Sequence, residues 1–90
     1  MKCEWDPKKA ADNLRKHKVS FVEATSVFDD PLGITYPDPD HSQDERRFVT
    51  FGHSFANRLL VVSHAEWDDT SRSFSARRAT RGERNIYEEG

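Results

Sequence analysis

Arginine side chains cluster where a strand pattern ends and a helix pattern begins, close to residue 80. Arg77 and Arg78 follow the last strand pattern of the chain. Thr80 and Glu83 then have the spacing of a capping box, which predicts a helix from about Arg81. A guanidinium group presents a planar fork of donors to phosphate oxygens, and a helix N-terminus adds backbone N–H groups. This junction is therefore a candidate phosphate site, with solvated surface arginines as the alternative.

The net charge of −2 conceals three positive segments. Residues 1–18 hold six cations and three acids, residues 46–64 hold three cations and no acid, and residues 72–84 hold five arginines and one acid. Between Asp29 and Glu45 there are six acids and no Lys or Arg. If the positive segments converge in the fold, a slightly acidic protein presents a basic face, which predicts RNA as a partner.

Length and composition favour one small domain, which we expect to span residues 1–90. Hydrophobic residues make up 34% of the chain and charged residues 33%, and two Trp and six Phe are available to anchor a modest core. Cys3 is the only cysteine, so no intrachain disulfide can form and a reducing compartment is expected. No segment approaches the roughly 18 apolar residues of a membrane span, and the N-terminus has no apolar signal core. The sequence therefore predicts a cytoplasmic protein without membrane contact.

Caps and hydrophobic periodicity predict the elements that must position the arginines. Asp6 and Pro7 suit a helix start, and Ser20 with Glu23 forms a second capping box. Residues 59–62 are the most apolar run, which predicts a central strand. The predicted elements are a strand over 2–5, helices over 7–17 and 20–28, strands over 32–36, 47–51, 58–64 and 70–76, and a helix over about 81–89, with a loop over 37–42, a hairpin connection over 52–57 and a turn over 66–69. This order predicts an α+β fold in which two helices precede an antiparallel meander of three to four strands.

The first predicted helix has two distinct faces. Lys9, Asn13 and Lys16 recur at spacings of four and three, which predicts a polar stripe. The adjacent face is expected to pack in the core and consists of Ala10, Leu14 and His17. The last predicted strand, over 70–76, is unusually polar on both sides of Phe74, so it is either a sheet edge or a strand whose exposed face is used.

Several short words of sequence, spread over nearly the whole chain, keep a specific order and spacing. They are Glu4-Trp5-Asp6-Pro7-Lys8-Lys9-Ala10, Asn13, Lys16-His17, Val19-Ser20-Phe21, Ala24, Val27-Phe28-Asp29-Asp30-Pro31, Glu45-Arg46, Leu60-Val61-Val62, Ser75-Ala76-Arg77-Arg78-Ala79-Thr80, Glu83 and Tyr87. Together with the order of the predicted elements, these words resemble the BrnT family of type II toxins.

The resemblance implies a compact RelE-like fold and a ribonuclease activity that arrests translation. It also implies neutralisation by a cognate BrnA-type antitoxin, through which the toxin would meet operator DNA indirectly. The chain departs from the family at Lys18, where glycine is usual and a left-handed helix cap is favoured. Because of this lysine we expect strain or a different helix end at Lys18. A second departure is at Ser71 and Ser73, which stand where relatives tend to be more apolar.

RNA cleavage without a metal needs a base for the ribose 2′-OH proton, cations for the charge that develops on phosphorus, and an acid for the leaving oxygen. Arg72 and Arg77 are the predicted charge stabilisers, because a strand and its end can hold them rigidly. Arg46 is a third candidate. Glu45 is the candidate base if burial raises its pKa, and the alternative is a surface acid beside Arg46.

Further residues are predicted to bind the RNA. Lys9, Lys16, Arg78 and Arg81 are expected to hold phosphate, with solvated charge as the alternative. For Lys9 and Lys16 a second possibility is proton transfer, if desolvation lowers their pKa. Trp5 can stack on an unpaired base, with a place in the core as the alternative. No pair among the four histidines has dependable metal-ligand spacing, and the thiol is remote in sequence, so we expect no metal or cofactor.

The resemblance and the clustered arginines together predict a metal-independent endoribonuclease toxin that acts on mRNA. The polar last strand and the lack of a clear general base leave a second hypothesis open. In that alternative the chain is a binding module without catalysis, which serves as partner or co-repressor of a DNA-binding antitoxin.

Overall fold

The structure is a computed structural model that describes residues 1–38 and 46–89. Over these residues the elements follow the order β1 (Lys2–Trp5), α1 (Pro7–His17), α2 (Phe21–Thr25), a 3-10 helix (Ser26–Asp29), β2 (Ile34–Pro37), β3 (Arg47–His53), β4 (Leu59–Trp67), β5 (Thr70–Arg78) and α3 (Arg81–Glu89). The predicted α+β class is confirmed. Residues 39–42 of the predicted loop, and the candidate base Glu45, lie outside the described residues.

The described strands form one five-stranded sheet in the order β1-β5-β4-β3-β2. From β2 to β5 the neighbours pair antiparallel, which gives the predicted meander four strands. The short β1 pairs parallel with β5 at one edge. The apolar run over 59–62 lies in β4, the middle strand of this order, as its sequence predicted.

The core lies between one face of the sheet and the first two helices. Its buried cluster consists of Val19, Phe21, Ala24 and Val27 from the helical half and Leu60, Val62 and Ala76 from the sheet. We call this side of the sheet the helix face. Because side chains alternate along a strand, Val61 on β4 points to the opposite side, which we call the open face. Only its end nearest α3 is covered by a helix among the described residues.

Helix caps fix the helical half as the sequence predicted. The Asp6 carboxylate accepts a hydrogen bond from the Lys8 N–H at 2.8 Å, and the Ser20 hydroxyl accepts one from the Glu23 N–H at 3.0 Å. Lys18 ends α1 in the left-handed region, with φ 61°, where glycine would be free of strain. The helix therefore ends as a glycine cap would end it, at a cost of about 1 kcal/mol for the non-glycine residue.

The predicted polar stripe of α1 is buried at its middle. The Asn13 amide donates to Ala76 O at 2.9 Å and accepts from Ala76 N–H at 3.0 Å, so it makes the two hydrogen bonds that a further strand would make. It also donates to Val19 O at 2.9 Å. This completes the edge of β5 where β1 has already ended at Trp5. Leu14, predicted in the core, is 50% exposed because the helix is rotated to place Asn13 inward.

Several predicted boundaries were wrong by a few residues. The sequence predicts Pro37 in a loop, but it pairs with Phe48 as the last residue of β2, which a proline tolerates because β2 is an edge strand. Glu66 and Trp67 belong to β4 rather than to the turn, which lies at residues 68–69. β5 continues through Arg78 instead of breaking at the two arginines. None of the helices in the described ranges is long and apolar enough to cross a membrane.

Candidate functional site

A β-bulge decides which arginines of β5 share a face. Ser63 pairs with Ser75, whereas the next residue of β4, His64, pairs with Ser73. Phe74 is therefore an extra residue that shifts the alternation of side chains. Residues five apart point to opposite faces of a regular strand, but this shift brings Arg72 and Arg77 to the same open face.

A second strand adds a cation to this face. Arg47 on β3 and Arg72 on β5 both pair with Ala65 of β4, so their Cα atoms lie about 10 Å apart across the sheet. The Arg47 guanidinium lies 4.2 Å from the centre of the Phe74 ring, and Lys9 Nζ lies 5.1 Å from it. Cation–π contacts of this kind hold charge in place without neutralising it. The bulged Phe74 thus gathers two cations beside Arg72.

Arg77 is held at the other end of the open face by α3. Its two terminal nitrogens each lie 2.7 Å from an oxygen of Glu83. Glu83 also accepts from the Thr80 N–H, while the Thr80 hydroxyl accepts from the Glu83 N–H, which confirms the capping box. The bidentate bond from Arg77 lowers the pKa of Glu83 to about 2. The arginine is thus rigid and its charge is matched by a carboxylate that stays ionised.

Arg72 also has a carboxylate partner, from the first strand of the chain. Its guanidinium nitrogen lies 3.1 Å from an oxygen of Glu4 on β1, and both side chains are more than one-third exposed. A pair so close to solvent contributes little to stability. Water and a ligand phosphate can therefore compete for Arg72 at small cost.

The open face is hollow between these arginines and α3. A cavity of about 830 Å³ lies there. The residues that line it are Tyr36, Pro37, Asp38, Val49, Phe51, Val61, Ser63, Ser75, Arg77, Glu83 and Ile86. Most of this lining is apolar, and its charged groups stand at the sides.

A second polar anchor holds the far end of α3. The Tyr87 hydroxyl donates to the Asp30 carboxylate at 2.7 Å and lies 3.1 Å from His53 Nδ1. Burial, together with this carboxylate, raises the pKa of Tyr87 to about 12. Burial raises the pKa of Asp30, but the hydrogen bonds that its carboxylate accepts from the His53 N–H and the Tyr87 hydroxyl lower it by more. The net result is a lowered pKa for Asp30. α3 is therefore fixed at both ends by polar contacts and has no buried residue of its own.

Three predicted site residues lie away from the open face. Arg46 lines a small hollow with Phe48 and Glu66 on the helix-face side of the sheet. Arg78 pairs with Leu60, whose side chain is in the core, and so points away from Arg77. Trp5 packs edge-on against Phe21, with ring centres 6.0 Å apart, in agreement with the alternative that placed it in the core.

Two predicted phosphate ligands lie on helix surfaces. Lys16 is exposed on α1, one turn beyond Asn13. Arg81 is exposed in the first turn of α3. The structure therefore brings Lys9, Arg72 and Arg77 to the open face, and it leaves Lys16 and Arg81 exposed on α1 and α3.

Arg47 lies on the open face although the sequence predicts its neighbour Arg46, and not Arg47, as a site residue. The available signal was the period of two in β3, in which Arg47, Val49 and Phe51 share one side. Only the pairing of β3 with β4 shows that this side is the open face. A shift of one residue in a strand exchanges the two faces, so adjacent arginines lead to opposite conclusions.

Buried polar groups on the helix face support the fold. Glu23 bonds with Arg58, which lowers the pKa of the carboxyl, and accepts a further bond from the Ser54 hydroxyl at 2.7 Å. This cluster ties the β3–β4 turn to α2. His64 is 1% exposed and contacts Thr50 Oγ1 at 2.7 Å, and desolvation lowers the pKa of His64 to about 4. Within residues 1–38 and 46–89 no group of three or more His, Cys, Asp or Glu side chains is arranged to hold a metal ion.

Comparison with known proteins agrees with this architecture. The fold is similar to the crystal structure of the Brucella abortus ribonuclease toxin BrnT, with a TM-score of 0.70, 19% sequence identity, and coverage of 90% of this chain and 99% of that chain. No curated protein sequence matches the chain significantly. The family model described as "Ribonuclease toxin, BrnT, of type II toxin-antitoxin system" matches residues 5–83. The chain belongs to the BrnT family of ribonuclease toxins from type II toxin–antitoxin systems.

Proposed function

We propose that this protein is a metal-independent endoribonuclease that cleaves mRNA and arrests translation. A type II toxin–antitoxin family implies an antitoxin partner, which we take to be a BrnA-type protein that connects the toxin to operator DNA. We also propose a RelE-like relationship for the fold and a cytoplasmic site of action. The observation that supports RNA binding best is the convergence of Arg47, Arg72, Arg77 and Lys9 on the open face.

The spacing of these cations suits a strand of RNA rather than one small anion. Arg72 and Arg77 are separated by five residues of β5, or about 15 Å, so they meet different phosphates. Arg47 and Arg72 lie about 10 Å apart, and their long side chains can reach one phosphate between them. We therefore assign the reacting phosphate to the position between Arg47 and Arg72, over Phe74.

This assignment gives each group a role in the reaction. Arg47 and Arg72 stabilise the charge that develops on the phosphate oxygens, and Arg77 holds a phosphate further along the strand. Glu45 remains the proposed base for the ribose 2′-OH proton, on the ground that it precedes Arg47 by two residues. A Glu45→Gln variant should keep RNA affinity while its single-turnover cleavage rate falls by about 100-fold or more. An unchanged rate would remove Glu45 from the mechanism.

Two neighbouring arginines provide a matched test of the face. Arg47→Ala and Arg46→Ala remove the same charge one residue apart, but only the first removes it from the open face. We expect Arg47→Ala to slow RNA cleavage by about 100-fold and to relieve growth arrest. Arg46→Ala should remain within a few-fold of the unmodified toxin. Equal effects of the two substitutions would show that the open face is not the site.

The binding-module alternative draws support from one observation. Arg72 and Arg77 both have carboxylate partners, so neither carries an unpaired charge that a phosphate would have to neutralise. Induced expression separates the two functions. Growth arrest with RNA breakdown supports the ribonuclease. Harmless expression, with intact binding to the antitoxin, supports the module.

A further inference from the structure

The cavity beside Arg77 has a floor that suits a flat ring. Val49, Phe51 and Val61 come from three positions that share the open face of β3 and β4. The Tyr36 ring stands at the side and packs edge-on against Phe51, with ring centres 6.0 Å apart and planes at 75°. Tyr36 is 43% exposed, so part of its ring remains available for contact.

Polar groups border this apolar floor. The Ser63 and Ser75 side chains line the cavity from adjacent positions on β4 and β5. Their hydroxyls can each donate and accept a hydrogen bond. Arg77 and Glu83 line another part of the wall. A ligand that combines an apolar ring face, a hydrogen-bonding edge and a nearby anion would match all of these surfaces.

We propose that this cavity is a base subsite, which holds one unpaired base of single-stranded RNA while the adjoining phosphate lies on Arg77. The inference rests on the proposed RNA-binding function and adds base recognition to it. Single-stranded RNA is recognised by stacking of splayed bases on aromatic and apolar side chains and by hydrogen bonds to their edges. A volume of about 830 Å³ is within the range of small-ligand pockets, and it accommodates a base with its ribose.

The surroundings favour RNA over an apolar side chain from a protein partner. A protein anchor is best served by a dry pocket with apolar walls. Here two hydroxyls and an ion pair stand in the lining, and Arg72 lies on the same face of β5 as Arg77, so positive charge continues along the strand beyond the cavity. The same positive face would repel a basic partner segment.

A fluorescent base provides a direct probe. A short single-stranded RNA with 2′-O-methyl riboses, which lack the nucleophilic hydroxyl, is prepared with 2-aminopurine at each position in turn. Stacking of this base in the cavity should quench its fluorescence at one position only. A second RNA set carries an abasic nucleotide at each position. In the unmodified toxin, the abasic nucleotide at the quenched position should weaken binding by about 10-fold.

A cavity-filling variant locates the effect in the protein. Ser75→Phe places a ring in the cavity and should abolish the position-specific quenching, and the abasic nucleotide should then cause no further loss. Ala56→Phe adds the same ring at the exposed β3–β4 turn and should behave like the unmodified toxin. Urea unfolding of both variants checks that they are folded, and the abasic series needs no variant at all.

The outcomes separate this inference from the function on which it rests. RNA binding by the unmodified toxin without any position-specific effect would refute the base subsite and leave the proposed function standing. Failure to bind or cleave any RNA would refute both. If Ser75→Phe keeps the quenching pattern but loses the antitoxin, the cavity is a protein-binding pocket and the inference is wrong.

Discussion

The ion pair between Arg77 and Glu83 makes a prediction about both stability and RNA affinity. In Glu83→Gln the amide oxygen can still accept from the Thr80 N–H, so the capping box is kept. The substitution therefore removes the negative partner of Arg77 and little else. We expect RNA to bind more tightly, because Arg77 no longer has to exchange a carboxylate for a phosphate.

The stability cost can be worked from the pKa of Glu83. A shift from 4.5 to about 2 corresponds to roughly 3 kcal/mol. Arg77 is 41% exposed, so solvent screening reduces this to about 1–2 kcal/mol. Because the folded-state pKa is depressed, the contribution is present above pH 4.5 and is lost as the pH falls toward 2. Urea unfolding at neutral pH should therefore show Glu83→Gln to be destabilised by about this amount.

The tighter RNA binding should also depend more steeply on salt concentration. One additional phosphate contact steepens the dependence of log K on log salt by about 0.7 for a single strand. Fluorescence anisotropy with a cleavage-resistant RNA over a salt series measures both affinity and slope. Glu88→Gln is the control, since it removes the same charge from an exposed position of α3 that has no contact with Arg77. An equal gain of RNA affinity in both variants, or weaker RNA binding by Glu83→Gln, would refute this role of Arg77.

Two further predictions concern the scaffold that holds the face. Desolvation lowers the folded-state pKa of His64 to about 4 against 6.5 for the free side chain, while the Glu66 carboxylate, 3.0 Å from His64 Nδ1, opposes this shift. The folded protein therefore binds fewer protons than the unfolded chain and loses at most about 2 kcal/mol of unfolding free energy between pH 7 and pH 5. Urea unfolding at the two pH values should show this loss, and it should disappear in His64→Gln; an equal loss in that variant would assign it to other groups. Asn13→Ala leaves the buried N–H and C=O of Ala76 without partners, which should cost about 3 kcal/mol or more in urea unfolding. Asp12→Ala on the exposed side of α1 should stay within about 0.5 kcal/mol, and a similar cost for both would show that Asn13 does not complete the sheet edge.

The parts of the fold that local chemistry determines were predictable from sequence. Asp6, Ser20 and Thr80 mark helix starts because their side chains satisfy backbone donors within a few residues. The apolar run at 59–62 predicted the central strand because a strand buried on both sides cannot be polar. These signals are local, so no knowledge of strand pairing was needed to read them.

The candidate site was harder to predict because it depends on strand pairing and register. The choice between Arg46 and Arg47 follows from which side of β3 faces the helices, and that depends on pairing with β4. The common face of Arg72 and Arg77 follows from the extra residue Phe74, whose bulge is defined only against β4. The sequence predicts Asn13 on a polar stripe, because its partner backbone lies 63 residues away and leaves no local signal.

The carboxylate partners of Arg72 and Arg77 hold these two arginines in position on the open face before any RNA binds. Glu4 belongs to the first strand and Glu83 to the last helix, so each arginine is oriented by an element at one end of the chain. In the Arg72–Glu4 pair both side chains are more than one-third exposed, so little stability is lost when a phosphate takes the place of Glu4. Displacing Glu83 from Arg77 costs more, about 1–2 kcal/mol. Arg47 differs, since its guanidinium lies over the Phe74 ring. Because an aromatic ring holds a cation in place without neutralising it, replacement of Arg47 should reduce cleavage more than replacement of Arg77.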